Sequence, residues 1–269
     1  MPPTPTSLLL RDHARAIAMT CPPTLYDEIA LVGSSARGIA TETSDLDINI
    51  WTRTLPPLSA RQRWLRSIGV VSVHSRPPNA DGSQWLSGTY QQIALEIGWQ
   101  TLTDFERTME AIVSGQVIDH HTLRLAELFL SAHRLRGRAV LNNWQTRLYH
   151  YPPALAERLI TDALSGWCDG KQARSDHLHR IWRVLFALNQ QWEINWKYAL
   201  FYMPNLPLRP PDLAERIAHI QQVNSTEADT ILQSLIVDTL RLVVDNRGAS
   251  PLLRRTLSYC ESLRNDCIE

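Results

Sequence analysis

The sequence predicts an α+β protein, a mixed sheet with flanking helices followed by an all-α helical bundle. Three observations lead there. Short apolar runs of strand length recur up to Trp99. Stretches of helical spacing lie among them. After Gln100 the apolar spacing settles into threes and fours and stays there for most of the remaining chain. That change of period places a boundary near residue 118, giving a first domain over 1–118 and a helical domain over 119–269.

Each element has its own signal. Leu8, Leu9, Ala14, Ile17 and Ala18 predict a short amphipathic helix, ended by Pro22-Pro23. Ile29 to Val32 reads as a buried strand running into Gly33-Ser34-Ser35. Leu46 to Trp51 alternates apolar with polar, as a half-buried strand does. Residues 58–68 suit a helix, and Val70 to Val73 a third strand. A loop rich in Pro, Asn, Asp and Gly follows over Pro77 to Gly82, and Ile93 to Trp99 is the last strand. In the second half, Thr103-Asp-Phe-Glu106 reads as a capping box. Leu125, Leu128, Phe129, Ala132 and Leu135 repeat at helical spacing. Further helices are expected over 137–149, 153–166, 175–191 and 212–222, with Tyr149 to Pro152 as a junction. Another helix opens over Asn224 to Glu227 and closes at Asn246-Arg247-Gly248.

Composition narrows the functional class. The 269 residues are 44% apolar and 20% charged, ordinary for a globular chain. The 27 basic residues balance 27 acidic ones, which speaks against a general nucleic-acid or membrane-surface binder. Lys171 and Lys197 are the only lysines, a bias that a GC-rich genome explains. The four cysteines show no paired spacing, so neither a zinc knuckle nor a disulfide framework is expected. Leu8-Leu9-Leu10 is too short for a signal core, and no run approaches the roughly 20 apolar residues of a membrane span. Reduced thiols and the missing signal lead us to expect a cytoplasmic protein.

The chemistry concentrates between Leu31 and Ile50. Gly33 lets the backbone approach a phosphate closely. The Ser34 hydroxyl and the amides after Gly33 can hold an anion. Asp45 and Asp47, two apart in a strand, point to one face. Two carboxylates side by side repel each other unless a cation lies between them. A hard cation such as Mg²⁺ suits the pair and keeps positions for substrate phosphates.

This segment resembles the signature of the DNA-polymerase-β-like nucleotidyltransferases: Val32-Gly33-Ser34, ten residues, then Asp45-Leu46-Asp47-Ile48, with Ser44 before the first acid. The resemblance covers about the first hundred residues. It implies a third carboxylate on a later strand, and Leu95-Glu96-Ile97 supplies one; Asp81 and Asp104, in loop and helix-cap contexts, are weaker candidates. It further implies Mg²⁺ on Asp45, Asp47 and Glu96, with Glu96 as ligand or general base. ATP or another NTP would lie against Gly33, Ser34 and Ser44.

The helical half is similar in layout to the aminoglycoside adenylyltransferases. Residues 185–207 look more like an uncharacterised bacterial nucleotidyltransferase-like group, by an Asn, a Lys-aromatic pair and a Leu-Pro. That resemblance implies that Lys197 contacts the nucleotide's phosphates, unless it is a plain surface lysine. Asn189 is the matching Asn. His177-x-His179 and His120-His121 read as helix-surface histidines rather than metal ligands. Arg174, Arg180 and Arg183 form either a basic face or a solvated stripe.

The acceptor stays open. A small, aminoglycoside-like molecule would want an acidic rim, for which Asp162, Asp169, Asp176 and Glu193 are scattered candidates. Transfer to tRNA or to a protein hydroxyl is the alternative, and zero net charge speaks mildly against tRNA. A silent nucleotide-binding scaffold is the third reading, against which stands the complete set of three acids.

Overall fold

A computed structural model describes residues 2–167, 173–223 and 226–266; the side chains of residues 199, 200 and 264–266 are outside the description. The chain forms two compact units by its contacts. Unit 1 is Met1–Val117 with Leu125–His150, and unit 2 is Ile118–Arg124 with Tyr151–Glu269.

Unit 1 is built on one mixed sheet. In chain order its strands are β1 (Glu28–Val32), β2 (Leu46–Thr52), β3 (Val71–Ser75), β4 (Gln84–Tyr90), β5 (Ile93–Thr101) and β6 (His133–Gly137). In space they run β3-β4-β5-β2-β1-β6. Only β2 and β5 are parallel, and they pair in register from Leu46↔Leu95 to Thr52↔Thr101.

One sheet face is apolar. Ile29, Leu31, Leu46, Ile48, Ile50, Leu95, Ile97 and Trp99 pack with Leu10, Ala14 and Ile17 of α1 (Pro5–Thr20) and with Trp64 and Leu65 of α3 (Leu58–Ser67). The short helix α2 (Gly33–Arg37) follows β1 directly. The other face is covered in part by aromatic rings. Trp51 lies 4.6 Å from Phe105 of α4 (Leu102–Val113) and 5.6 Å from Phe129 of α5 (His120–Leu130). Each helix start is chemically marked. Thr4 caps α1, accepting from Ser7 N at 3.1 Å with Pro5 next. Buried Glu28 reaches from β1 and accepts from Val140 N at 2.7 Å and Leu141 N at 3.2 Å, capping α6 (Val140–Leu148). Burial holds that carboxyl above its ordinary range, and the two amides pull it back.

Two expectations are corrected, and one strand is added. The helical repeat through Leu135 stops at Leu130, and β6 takes over along the edge of β1. An unpaired β1 edge would leave backbone donors and acceptors exposed, and β6 covers them. Arg136 adds to this by donating to the carbonyls of Ala18, Met19 and Cys21 at the end of α1. Beyond the Pro77 to Gly82 loop, a stretch given no element from the sequence forms β4, which the sheet stabilises despite its Ser and Gly content. The capping box of α4 lies two residues earlier than expected. Thr101 accepts from Asp104 N at 3.0 Å and donates to Asp104 Oδ2 at 2.7 Å.

Unit 2 is helical: α7 (Pro153–Trp167), α8 (Arg174–Leu188), α9 (Ala199–Tyr202), α10 (Leu213–Gln222), α11 (Thr226–Arg247) and α12 (Pro251–Asp266). Tyr149 to Pro152 joins α6 to α7, and Gly248 at φ +79° follows α11, as expected. Asn189 clamps the Leu-Pro segment. It donates to Leu185 O at 2.7 Å and Leu208 O at 2.8 Å, and accepts from Leu208 N at 2.8 Å. Cys21 and Cys260 are buried, and burial pushes the Cys21 thiol up to about 12. Cys168 and Cys267 lie outside the described residues. No described helix is long and apolar enough to cross a membrane.

Candidate active site

The site starts where β1 ends. Gly33 takes φ +76° and turns the chain into α2. A side chain is excluded twice there. The backbone is left-handed, and a Cβ would fall 2.2 Å from Asp47 Oδ2. The glycine therefore makes room for the Asp47 carboxylate.

α2 is barely longer than one turn, so it contributes little macrodipole. Its serines matter more. Ser34 and Ser35 are 4% and 0% exposed, and neither hydroxyl has a hydrogen-bond partner among the described residues. A buried hydroxyl left unpaired costs about 1–3 kcal/mol, which calls for a ligand or another reason. Arg37, at the far end of α2, is clamped by both carboxylate oxygens of Glu127 on α5.

The loop to β2 closes on itself. Thr41 N donates to Ser44 Oγ at 2.9 Å, and Ser44 N donates to Thr41 O at 3.0 Å. The Ser44 side chain thus shapes the turn that delivers Asp45. Asp47 stands on β2 directly opposite Glu96 on the parallel strand β5. One oxygen from each of Asp45, Asp47 and Glu96 falls within 4.8 Å of the other two. All three acids are half-buried. The next residue along that face of β2 is Asn49, 5% exposed, with its Oδ1 unpartnered.

Three carboxylates around one point suit a hard divalent cation. The orphaned Ser34 hydroxyl suits an anionic oxygen beside it. The residues present therefore fit a Mg²⁺-nucleotide pair. Asp81 and Asp104 serve locally instead: Asp81 accepts from Ser83 N at 2.9 Å, and Asp104 takes part in the α4 cap.

Sequence reasoning missed Arg76. Its backbone N–H extends the β3–β4 ladder, donating to Trp85 O at 3.0 Å. Its guanidinium reaches across β4 to grip both oxygens of Glu96, with Nη1 to Oε2 at 3.3 Å. One arginine before Pro77-Pro78, in a chain where nearly every basic residue is arginine, carries no local signal.

Lys197 belongs to unit 2, exposed on the turn Trp196–Tyr198, with Nζ 5.0 Å from the Tyr198 ring centre. Unit 2 also holds a cavity of about 450 Å³ lined by His120, Asp162, Asp176, His179, Arg183 and Glu193 among others. The acids that look scattered in sequence meet there, apart from Asp169, which lies outside the described residues. Glu193 is 2% exposed, with His120 Nδ1 at 2.6 Å from Oε2. Arg183 Nε lies 3.0 Å from Glu193 Oε1, off the line of a hydrogen bond, and Arg183 Nη1 pairs with Asp162 at 3.1 Å. Arg174 pairs with Asp229 at 2.6 Å. The expected basic stripe is thus largely spent on ion pairs. Burial first, then neighbouring His120, holds His179 below its ordinary imidazole value.

No protein-family model matches the chain, and no curated protein matches it. Among solved structures it is similar to a nucleotidyltransferase-like protein from Exiguobacterium sibiricum 255-15, at 11% identity over 98% of this chain and 91% of that one, with a TM-score of 0.35. A likeness at that level supports no statement about activity.

Proposed function

We propose that the chain is a Mg²⁺-dependent nucleotidyltransferase that moves a nucleoside monophosphate, AMP from ATP in the simplest case, onto a hydroxyl of a small-molecule acceptor. One observation carries this reading: Asp45, Asp47 and Glu96 converge on one point, with Asp47 lodged against Gly33.

When bound, Mg²⁺ would polarise the phosphoryl oxygens and offset the negative charge of the transition state. The chain does the rest. Asp47 on β2 and Asp45 just before it would hold the cation, and Glu96 would complete the set from the neighbouring strand. Gly33 lets the Asp47 carboxylate sit close to the backbone, and Ser34 donates its buried hydroxyl to a phosphate oxygen. The acceptor oxygen forms its bond to the α-phosphorus as the bond to the bridging oxygen breaks. Pyrophosphate leaves, and the acceptor's proton passes to Glu96.

The test is turnover. Purified protein with α-labelled NTPs and Mg²⁺ is offered polyhydroxylated amines, tRNA and a protein extract. Label on a small molecule with stoichiometric pyrophosphate release is the expected result. Label on tRNA or protein would move the acceptor to another class. Absence of nucleotide binding by calorimetry would overturn the reading.

A further inference from the structure

We infer that Arg76 is a phosphate-binding residue that Glu96 stores in place until a cation and nucleotide arrive; this rests on the function proposed above. The argument begins with the sheet. β4 pairs antiparallel with both β3 and β5, and residues opposite each other in a ladder share a face. Arg76 N donates to Trp85 O, Trp85 faces Gly98, and Glu96 and Asp47 occupy that same face. The Arg76 side chain therefore spans one strand to reach the candidate metal site, where both its terminal nitrogens meet the Glu96 carboxylate.

The pair is half open to water, with side-chain exposures of 54% and 25%. An exposed ion pair is weak and exchanges readily. Arg76 and a cation on Glu96 compete, since both neutralise the same oxygens. Once a nucleotide is bound, its phosphate oxygens offer Arg76 a planar, bidentate partner beside the position it vacates. The sign of its effect thus reverses: it opposes the cation alone and favours the cation together with a nucleotide. A residue that merely holds the β3–β4 edge would not show opposite signs.

The experiment measures both affinities. Mn²⁺ alone is titrated by electron paramagnetic resonance, and a non-hydrolysable ATP analogue by calorimetry at saturating Mg²⁺. For Arg76→Ala, Mn²⁺ should bind about two- to fivefold tighter, the range an exposed ion pair commands. The analogue should bind about tenfold weaker. Arg76→Lys keeps the charge but not the fork and should fall between. Arg76→Gln, which preserves most of the side-chain stem, serves if the alanine variant does not fold. Both affinities unchanged, or both shifted in one direction, would overturn the inference while the function stands, provided wild type binds Mn²⁺ and Asp47→Asn does not. Failure of wild type to bind Mn²⁺ would overturn both.

Discussion

Each unit gathers three acids around a space, and the two spaces are furnished differently. In unit 2, Glu193 is buried and meets His120 and Arg183, and Arg183 continues to Asp162. Counter-charge there is supplied by the unit's own helices. In unit 1, Asp45, Asp47 and Glu96 stay half-buried, and the ladder brings them Arg76, which is itself more than half exposed. A carboxylate buried with its partner is architecture, because parting the pair strands a charge in low dielectric. Acids half-open to water beside an exposed arginine can be reached by something that comes and goes. The comparison fits the chemistry proposed for unit 1 and gives Glu193 of unit 2 a role in cohesion.

The largest expected effect falls on activity. Asp47→Asn should lower nucleotidyl transfer by about a thousandfold or more, since several kcal/mol of charge stabilisation is lost. Its unfolding midpoint should hold or rise, because one of the repelling charges is gone. The same pattern is expected of Glu96→Gln. Steady-state kinetics beside urea denaturation checks both.

The reverse pattern is expected in unit 2. Glu193→Ala should cost about 3 kcal/mol of stability, near the low end for a broken buried pair because Arg183 keeps Asp162. Mn²⁺ affinity should not change. If it drops with stability unaffected, the roles assigned to the two regions are exchanged.

Gly33→Ala should fall between. The left-handed backbone costs about 1 kcal/mol for a residue with a Cβ. The new methyl also displaces the Asp47 carboxylate, so Mn²⁺ binding should weaken several-fold. Stability loss without weaker Mn²⁺ binding would show that Asp47 can move aside freely.

The smallest effect is a pH dependence. His177 and His179 are both held below the ordinary imidazole value of 6.5, chiefly by burial. The unfolded chain therefore takes up these protons first. Stability is intact above that value and falls as pH drops below it. Urea midpoints across that window check the slope, which His177→Gln should flatten.

How much could be read without the structure follows from range. Asp45 and Asp47 are legible because the period of a strand is local. Glu96 is legible because apolar neighbours mark its strand, although its place opposite Asp47 is a matter of sheet register. Arg76 is invisible because its ladder joins three strands whose pairing leaves no trace in the sequence around it. β6 escapes for a related reason. Leu135 fits a helical repeat, and only the open edge of β1 makes it part of a strand. The α4 cap slips by two because Thr101 and Thr103 each have an acid three residues on, and the end of β5 decides between them. The acids of unit 2 look scattered because helix packing, rather than spacing, assembles them.

The central claim is that Asp45, Asp47 and Glu96 hold a divalent cation for a nucleotide. Crystals grown with Mn²⁺ and a non-hydrolysable ATP analogue test it most directly, through the anomalous signal of the metal. The expected map has a peak within about 2–2.3 Å of oxygens from Asp45 and Asp47, with triphosphate density beside Gly33. A map with no peak there, or with the metal in the unit 2 cavity beside Glu193 and Asp176, would contradict the account.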